Sequence, residues 1–102
     1  MVWGITTRLN TISPLSLTGS DLSQGSSGSK VRQLQEQLDA IATVYTAIPR
    51  VAPDGIYGPR TAAAVREFQS IFGLPQTGAV DFATWYRISH IYVGITRMAE
   101  LI

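Results

Sequence analysis

A chain of 102 residues, 45% hydrophobic and 15% charged with a formal net charge of +1, has the size and make-up of one globular domain and not of a disordered tail. Its eight Lys and Arg residues are spread thinly from Arg8 to Arg97, which excludes the clustered basic surplus that nucleic-acid binding requires. The absence of cysteine removes disulfide scaffolds, thiolate metal sites and cysteine nucleophiles together.

Residues 1–28 fit no regular element. Pro14, Gly19, Gly25 and Gly28 stand among Ser and Thr, which reads as a linker or an irregular lead-in. Trp3, Ile5 and Leu9 fit either a short segment docked on the main body or the remnant of a linker. No apolar run follows Arg8 as a signal peptide would require, so any export signal is expected on another part of the protein. A membrane span is not expected either. The longest uncharged run, Phe68–Val80, falls short of ~20 apolar residues and contains Gly73, Pro75 and Gly78.

From Ser29 the pattern changes. Val31, Leu34, Leu38 and Ile41 recur at helical spacing, which predicts a first helix over about Ser29–Val44. Pro49 and Pro53 require it to end before them. Asp54-Gly55 then marks a turn, and Pro59 suits the first position of a second helix, where its missing N–H costs nothing. Ala62, Ala64, Val65, Phe68 and Phe72 carry that helix to Gly73. Thr77-Gly78 marks a second turn. Asp81 is a good N-cap for a third helix, with Val80 placed to staple against Trp85. Trp85, Ile88 and Tyr92 share one face of it, and Gly94 either breaks this helix or lets it run on through Ile95, Met98 and Leu101.

The chain also echoes itself. Val31-Arg32-Gln33-Leu34-Gln35 is answered by Val65-Arg66-Glu67-Phe68-Gln69, and Gly55 with Tyr57 and Thr61 by Gly78 with Val80 and Thr84. Two echoes are too few for a solenoid. They describe two similar turn-into-helix entries, each pinning an apolar residue onto the core.

These spaced positions resemble the peptidoglycan-binding-like domain family over about residues 22–92. The first block is Leu22, Gly25, Gly28, Val31, Leu34, Gln35 and Leu38. The second is Asp54, Gly55, Tyr57, Gly58, Thr61, Ala64, Val65, Phe68, Gln69, Gly73 and Leu74, and the third Thr77, Gly78, Val80, Thr84 and Trp85. The resemblance implies an all-α fold, a compact three-helix bundle with an irregular N-terminal lead-in. Together with the residue patterns above, the expected organisation is a lead-in over 1–21, the domain over 22–93 and a C-terminal helical extension over 94–102. The implied role is non-catalytic binding of bacterial peptidoglycan, targeting a linked or partner cell-wall hydrolase at the cell wall or spore envelope, with no cofactor. The chain departs from the family pattern in three places: no Gly follows the first helix within Ala40–Tyr45, the loop Ala47–Pro53 is longer and more apolar, and no hydrolase domain is seen, so the enzyme to be targeted is expected on another part of the protein or another chain. The same fold serves as a zinc-capping pro-domain elsewhere, a role that needs a cysteine this chain lacks.

Catalytic readings find little support in the residues. His90 is the sole histidine, and Ser26, Ser27 and Ser29 lack an adjacent base. Glu36, Asp39, Glu67 and Asp54 would need a pKa-perturbing pocket that a small three-helix core has little room to build. Asp54, Gly55, Gly58, Thr61, Gln35, Gln69, Gly78 and Trp85 read as scaffold, with the two glutamines partly buried and bonded to loop backbone. Peptidoglycan offers sugar rings, amides and carboxylates, which aromatic faces, Gln or Thr, and Arg complement. The expected ligand surface therefore lies around the two turns, where Tyr57, Arg60, Gln76, Thr84 and Tyr86 would converge. Two other readings stand beside this one. The apolar run Ile88, Ile91, Tyr92, Ile95, Met98 and Leu101 fits a protein–protein interaction module of the same fold, and a small lytic enzyme would be the third.

Overall fold

The computed structural model describes residues 21–101, with side chains described as far as Arg97. The expectations for Trp3, Ile5 and Leu9 lie outside the described residues. Three helices make up the fold: α1, Ser29–Ala42; α2, Pro59–Ile71; and α3, Phe82–Leu101. Among the described residues no strand forms, so the domain is all-α.

Each helix is bounded as its local chemistry requires. Helix α1 ends two residues earlier than the spacing predicts. Thr43 turns its N–H back to the Ala40 carbonyl oxygen at 3.1 Å, its hydroxyl donates to that same oxygen, and Val44 is exposed. Pro59 opens α2 after the Gly58 N-cap. That helix closes with the Leu74 N–H donating to the Gln69 carbonyl oxygen at 2.8 Å, the long back-bond of a Schellman ending around Gly73. Asp81 caps α3 by accepting the Thr84 N–H on Oδ1 at 2.9 Å. Gly94 does not interrupt α3, which continues to Leu101.

The apolar stripes predicted for α1 and α2 face inward. Val31, Leu34, Leu38 and Ile41 of α1 meet Ala64, Val65 and Phe68 of α2 and Trp85 and Ile88 of α3, all of them buried. Val80 and Trp85 are both in this core, as a hydrophobic staple requires. The apolar loop between α1 and α2 contributes Ile48 and Val51, so its unusual composition is core material. Asp39 fixes that loop. It accepts the Arg50 guanidinium at 2.7 and 3.0 Å and the Val51 N–H at 3.0 Å, and the Arg50 hydrogen bond holds its carboxyl below the usual carboxylate range.

Residues 22–28 run across both turns as an irregular stitch. Leu22 exchanges two backbone hydrogen bonds with Val80, at 3.0 and 2.7 Å. Gly25 donates to the Tyr57 carbonyl, Tyr57 to that of Ser26, and Gly28 to that of Gly55, each at 3.0 Å. Every one of these bonds joins residues far apart in the chain, which is why no local pattern announced them.

Candidate functional site

Two buried glutamines shape the surface around the turns. Gln35 on α1 and Gln69 on α2 are each 1% exposed. A primary amide supplies both a donor and an acceptor, so one side chain can satisfy an N–H and a C=O of the same bend. The Oε1 of Gln35 accepts the Gly55 N–H at 2.8 Å, and its Nε2 donates to the Ile56 carbonyl at 2.8 Å, Thr61 Oγ1 at 3.0 Å and Asp54 Oδ1 at 3.1 Å. Gln69 repeats the set. Its Oε1 accepts the Gly78 N–H at 3.0 Å, and its Nε2 donates to the Ala79 carbonyl at 2.9 Å, Thr84 Oγ1 at 3.1 Å and Thr77 Oγ1 at 3.3 Å. The sequence echo is thus an echo of hydrogen bonding: a turn glycine, the carbonyl after it, the side chain before it, and a threonine in the first turn of the next helix.

The turns need glycine for a backbone reason. Gly55 and Gly78 have φ of +80° and +77°, in the left-handed region that side chains disfavour. Tyr57 and Val80, two residues later, are 1% and 0% exposed and anchor the turns from inside. The Tyr57 hydroxyl donates to the Gly78 carbonyl at 2.5 Å and so links one turn to the other. Burial pushes its pKa far above the usual tyrosine value, with the Arg66 charge opposing in part. Trp85 lies in the core with the Lys30 ammonium 5.7 Å from its ring centroid.

Beside the first turn is an open depression of about 230 Å³. Its lining is made by Gln35 of α1, by Val51, Ala52, Asp54, Ile56 and Gly58 of the connecting segment, and by Pro59, Arg60 and Thr61 at the start of α2. Asp54 Oδ1 accepts the Ile56 N–H at 2.9 Å, and that bond, followed by the one from Gln35, keeps its carboxyl below the ordinary range. Ile56 is 61% exposed. The ion pairs of the described residues are Arg32–Glu36 and Arg50–Asp39, so neither Asp54 nor Arg60 is neutralised by a described side chain.

The five expected ligand residues lie in different surroundings. Arg60 lines the depression, whereas Tyr57 and Thr84 lie inside the protein with their hydroxyls engaged, because the anchor position of a turn and the third position of a helix both face the core. Gln76 is exposed in the second turn and Tyr86 on α3, and neither lines the depression. Tyr86 instead stands in a ladder along α3, 6.0 Å from the Phe82 ring centroid and stacked on His90 at 6.2 Å. Val51, Ala52, Ile56 and Pro59 line the depression and were not among the expected site residues. The signal for Ile56 was present: it precedes the inward Tyr57 in an extended turn, so it must point outward. Among the described residues no cluster of His, Asp or Glu has the makings of a metal site, and no helix is long and apolar enough to cross a membrane.

Comparison with known proteins places this geometry. The family described as "Putative peptidoglycan binding domain" matches residues 27–88, more than half of the chain. The zinc D-Ala-D-Ala carboxypeptidase of Streptomyces albus G is 45% identical over 67 residues, covering 66% of this chain and 25% of that protein. The N-acetylmuramoyl-L-alanine amidase CwlA of Bacillus subtilis (strain 168) is 46% identical over 53 residues, 48% of this chain and 18% of that protein. The chain thus spans a quarter or less of these two relatives. The crystal structure of the SleB N-terminal domain superposes with a TM-score of 0.62 at 29% identity, covering 74% of this chain and 96% of that one.

Proposed function

From the premise that this chain belongs to the peptidoglycan-binding domain family, we propose that it binds bacterial cell-wall peptidoglycan without cleaving it and serves a hydrolase unit that it holds against the wall or spore envelope. The observation that carries the reading is the depression beside the first turn, whose rim charges Asp54 and Arg60 have no described ion-pair partner. Small shallow sites of this kind make few contacts, so single-domain affinity is modest and linkage to an enzyme multiplies retention at the wall. The two relatives above, a carboxypeptidase and an amidase by name, each exceed the matched segment several-fold, which supports a role beside a catalytic unit.

The test is co-sedimentation of the purified chain with purified sacculi, with soluble muropeptides assayed in the same tube. The expected result is retention of the protein in the pellet with no muropeptide release. Protein left wholly in the supernatant would remove the wall-binding reading, and released muropeptides would replace it with a lytic one.

A second reading, a protein–protein interaction module of the same fold, is favoured by one observation. Phe82, Tyr86 and Val93 are exposed along α3 at 49%, 60% and 51%. Sacculus binding that survives Tyr86→Ala separates this face from the wall-binding one.

A further inference from the structure

We propose that the depression between Asp54 and Arg60 receives the stem-peptide part of the wall polymer, a short peptide bearing both an amine and a carboxylate, and not its glycan. This inference rests on the peptidoglycan-binding reading and names the moiety that the site selects.

Charge is the first argument. The lining of the depression includes a carboxylate, Asp54, and a guanidinium, Arg60, and neither is neutralised by a described side chain. Asp54 uses Oδ1 for both of its internal hydrogen bonds, from the Ile56 N–H and from Gln35, which leaves Oδ2 for an outside donor. A guanidinium is suited to a planar carboxylate because it offers two parallel N–H bonds. The sugar backbone of the wall offers hydroxyls and acetamides, and its lactyl acid is consumed as the amide to the peptide. It therefore has no ammonium for Asp54, whereas the stem peptides carry free carboxylates and the side-chain amine of a diamino acid.

Shape is the second. Sugar rings are gripped by exposed aromatic faces, and the lining of the depression contains none. The ring of Tyr57 is 1% exposed. On α3, Tyr86 is exposed but does not line the depression. What lines the depression instead is Val51, Ala52, Ile56 and Pro59, a surface matched to alanine methyl groups. At about 230 Å³ the space is below the ~300–1,000 Å³ of a pocket for a drug-sized ligand, and it suits a short peptide segment.

Pre-organisation is the third. Gln35 holds the turn backbone at Gly55 and Ile56 and also bonds the Asp54 carboxylate, so the carboxylate and the isoleucine are in place before any ligand arrives.

The experiment is an NMR titration of the isotope-labelled chain with two probes: a synthetic stem tetrapeptide containing a diamino acid, and peptide-free glycan strands whose lactyl carboxylates are capped as amides. The expected outcome is that the tetrapeptide shifts the amides of residues 51–61. Arg60→Gln should weaken it by about tenfold, the loss expected for a charge-assisted hydrogen bond, and Asp54→Asn should abolish any preference for the free amine over its acetylated form. Arg60 is exposed, so the folded state of its variant is checked by an unchanged melting temperature, with Arg60→Lys as a second variant that keeps charge but loses the fork. Shifts of residues 51–61 by the glycan strands alone would overturn the stem-peptide assignment while leaving wall binding intact. Tetrapeptide shifts confined to α3, or wild-type affinity in folded Arg60→Gln, would overturn the location. Failure to sediment with sacculi would instead overturn the wider reading.

Discussion

The hydroxyl of Tyr57 donates to the carbonyl oxygen of Gly78 at 2.5 Å, so the anchor residue of one turn holds the glycine of the other. The bond is buried and crosses 21 residues of chain, joining the entry of α2 to the entry of α3. Replacing Tyr57 by Phe keeps the ring and leaves the Gly78 oxygen without this donor. The expected cost is about 1–3 kcal/mol, the usual desolvation penalty of an orphaned buried acceptor. Urea denaturation of Tyr57→Phe checks it, and an unchanged midpoint would show that the bond contributes nothing.

Gln69→Leu is near in size but removes the partner of the Gly78 N–H, the Ala79 carbonyl and the Thr84 hydroxyl at once. A loss of at least about 3 kcal/mol is expected, a large share of the ~5–15 kcal/mol that holds such a domain folded. Gln69→Glu gives a sharper test. Its carboxylate would be buried opposite the Ala79 carbonyl oxygen, so its folded pKa is raised above the unfolded value near 4.3. The variant should therefore come nearest to wild-type stability below about pH 4 and fall progressively behind as pH rises through the raised value. A gap that narrows toward neutral pH contradicts this.

Gly55 and Gly78 share the same left-handed backbone but not the same surroundings. A Cβ at Gly78 would overlap the Arg66 guanidinium, whereas at Gly55 the nearest atom is the Gly28 carbonyl oxygen at an ordinary 3.5 Å. Gly55→Ala should cost about 1–2 kcal/mol from backbone strain alone. Gly78→Ala should cost about as much, because the guanidinium is the free end of a flexible side chain and swings aside, with the nearest backbone atom at an ordinary 3.6 Å. A clearly lower melting temperature for Gly78→Ala than for Gly55→Ala would contradict this.

Asp39 sets the expected acid limb. Its carboxyl is held below the ordinary value first by the Arg50 hydrogen bond, with the Val51 N–H adding to it against the opposing effect of burial. A depressed folded pKa stabilises the protein above the unfolded value near 3.9 and ceases to do so as pH falls through the folded one. The stability gap between wild type and Asp39→Asn should be full at pH 7 and close on acidification below about pH 4. Chemical denaturation at stepped pH values measures it. A gap that does not vary with pH would assign the loss to packing alone.

How much of this was legible beforehand follows the range of each interaction. The stripe Val31, Leu34, Leu38, Ile41 and the caps Pro59 and Asp81 are local, and the helices they announced are the ones observed. Gln35 and Gln69 betrayed their role because each sits four residues after an inward valine, on the buried face of its helix. The echo put the Tyr57 ring on the core, but the side on which its polar tip and Thr84 fall was not legible. A tyrosine carries both an apolar ring and a polar tip, and only the Gly78 carbonyl, 21 residues away, decides that the tip also lies inside. The stitch from Leu22 to Gly28 is made of backbone groups, which every residue type shares, so composition carried no trace of it.

The glutamine amides grip each bend from its underside, which has a consequence for variation over time. Curvature at these corners does not depend on what rides on the outer surface, so a residue such as Ile56 is an interchangeable tile over a fixed mount. A lineage of such domains can retune its taste in ligands by swapping those tiles one by one, without reopening the question of how the chain folds.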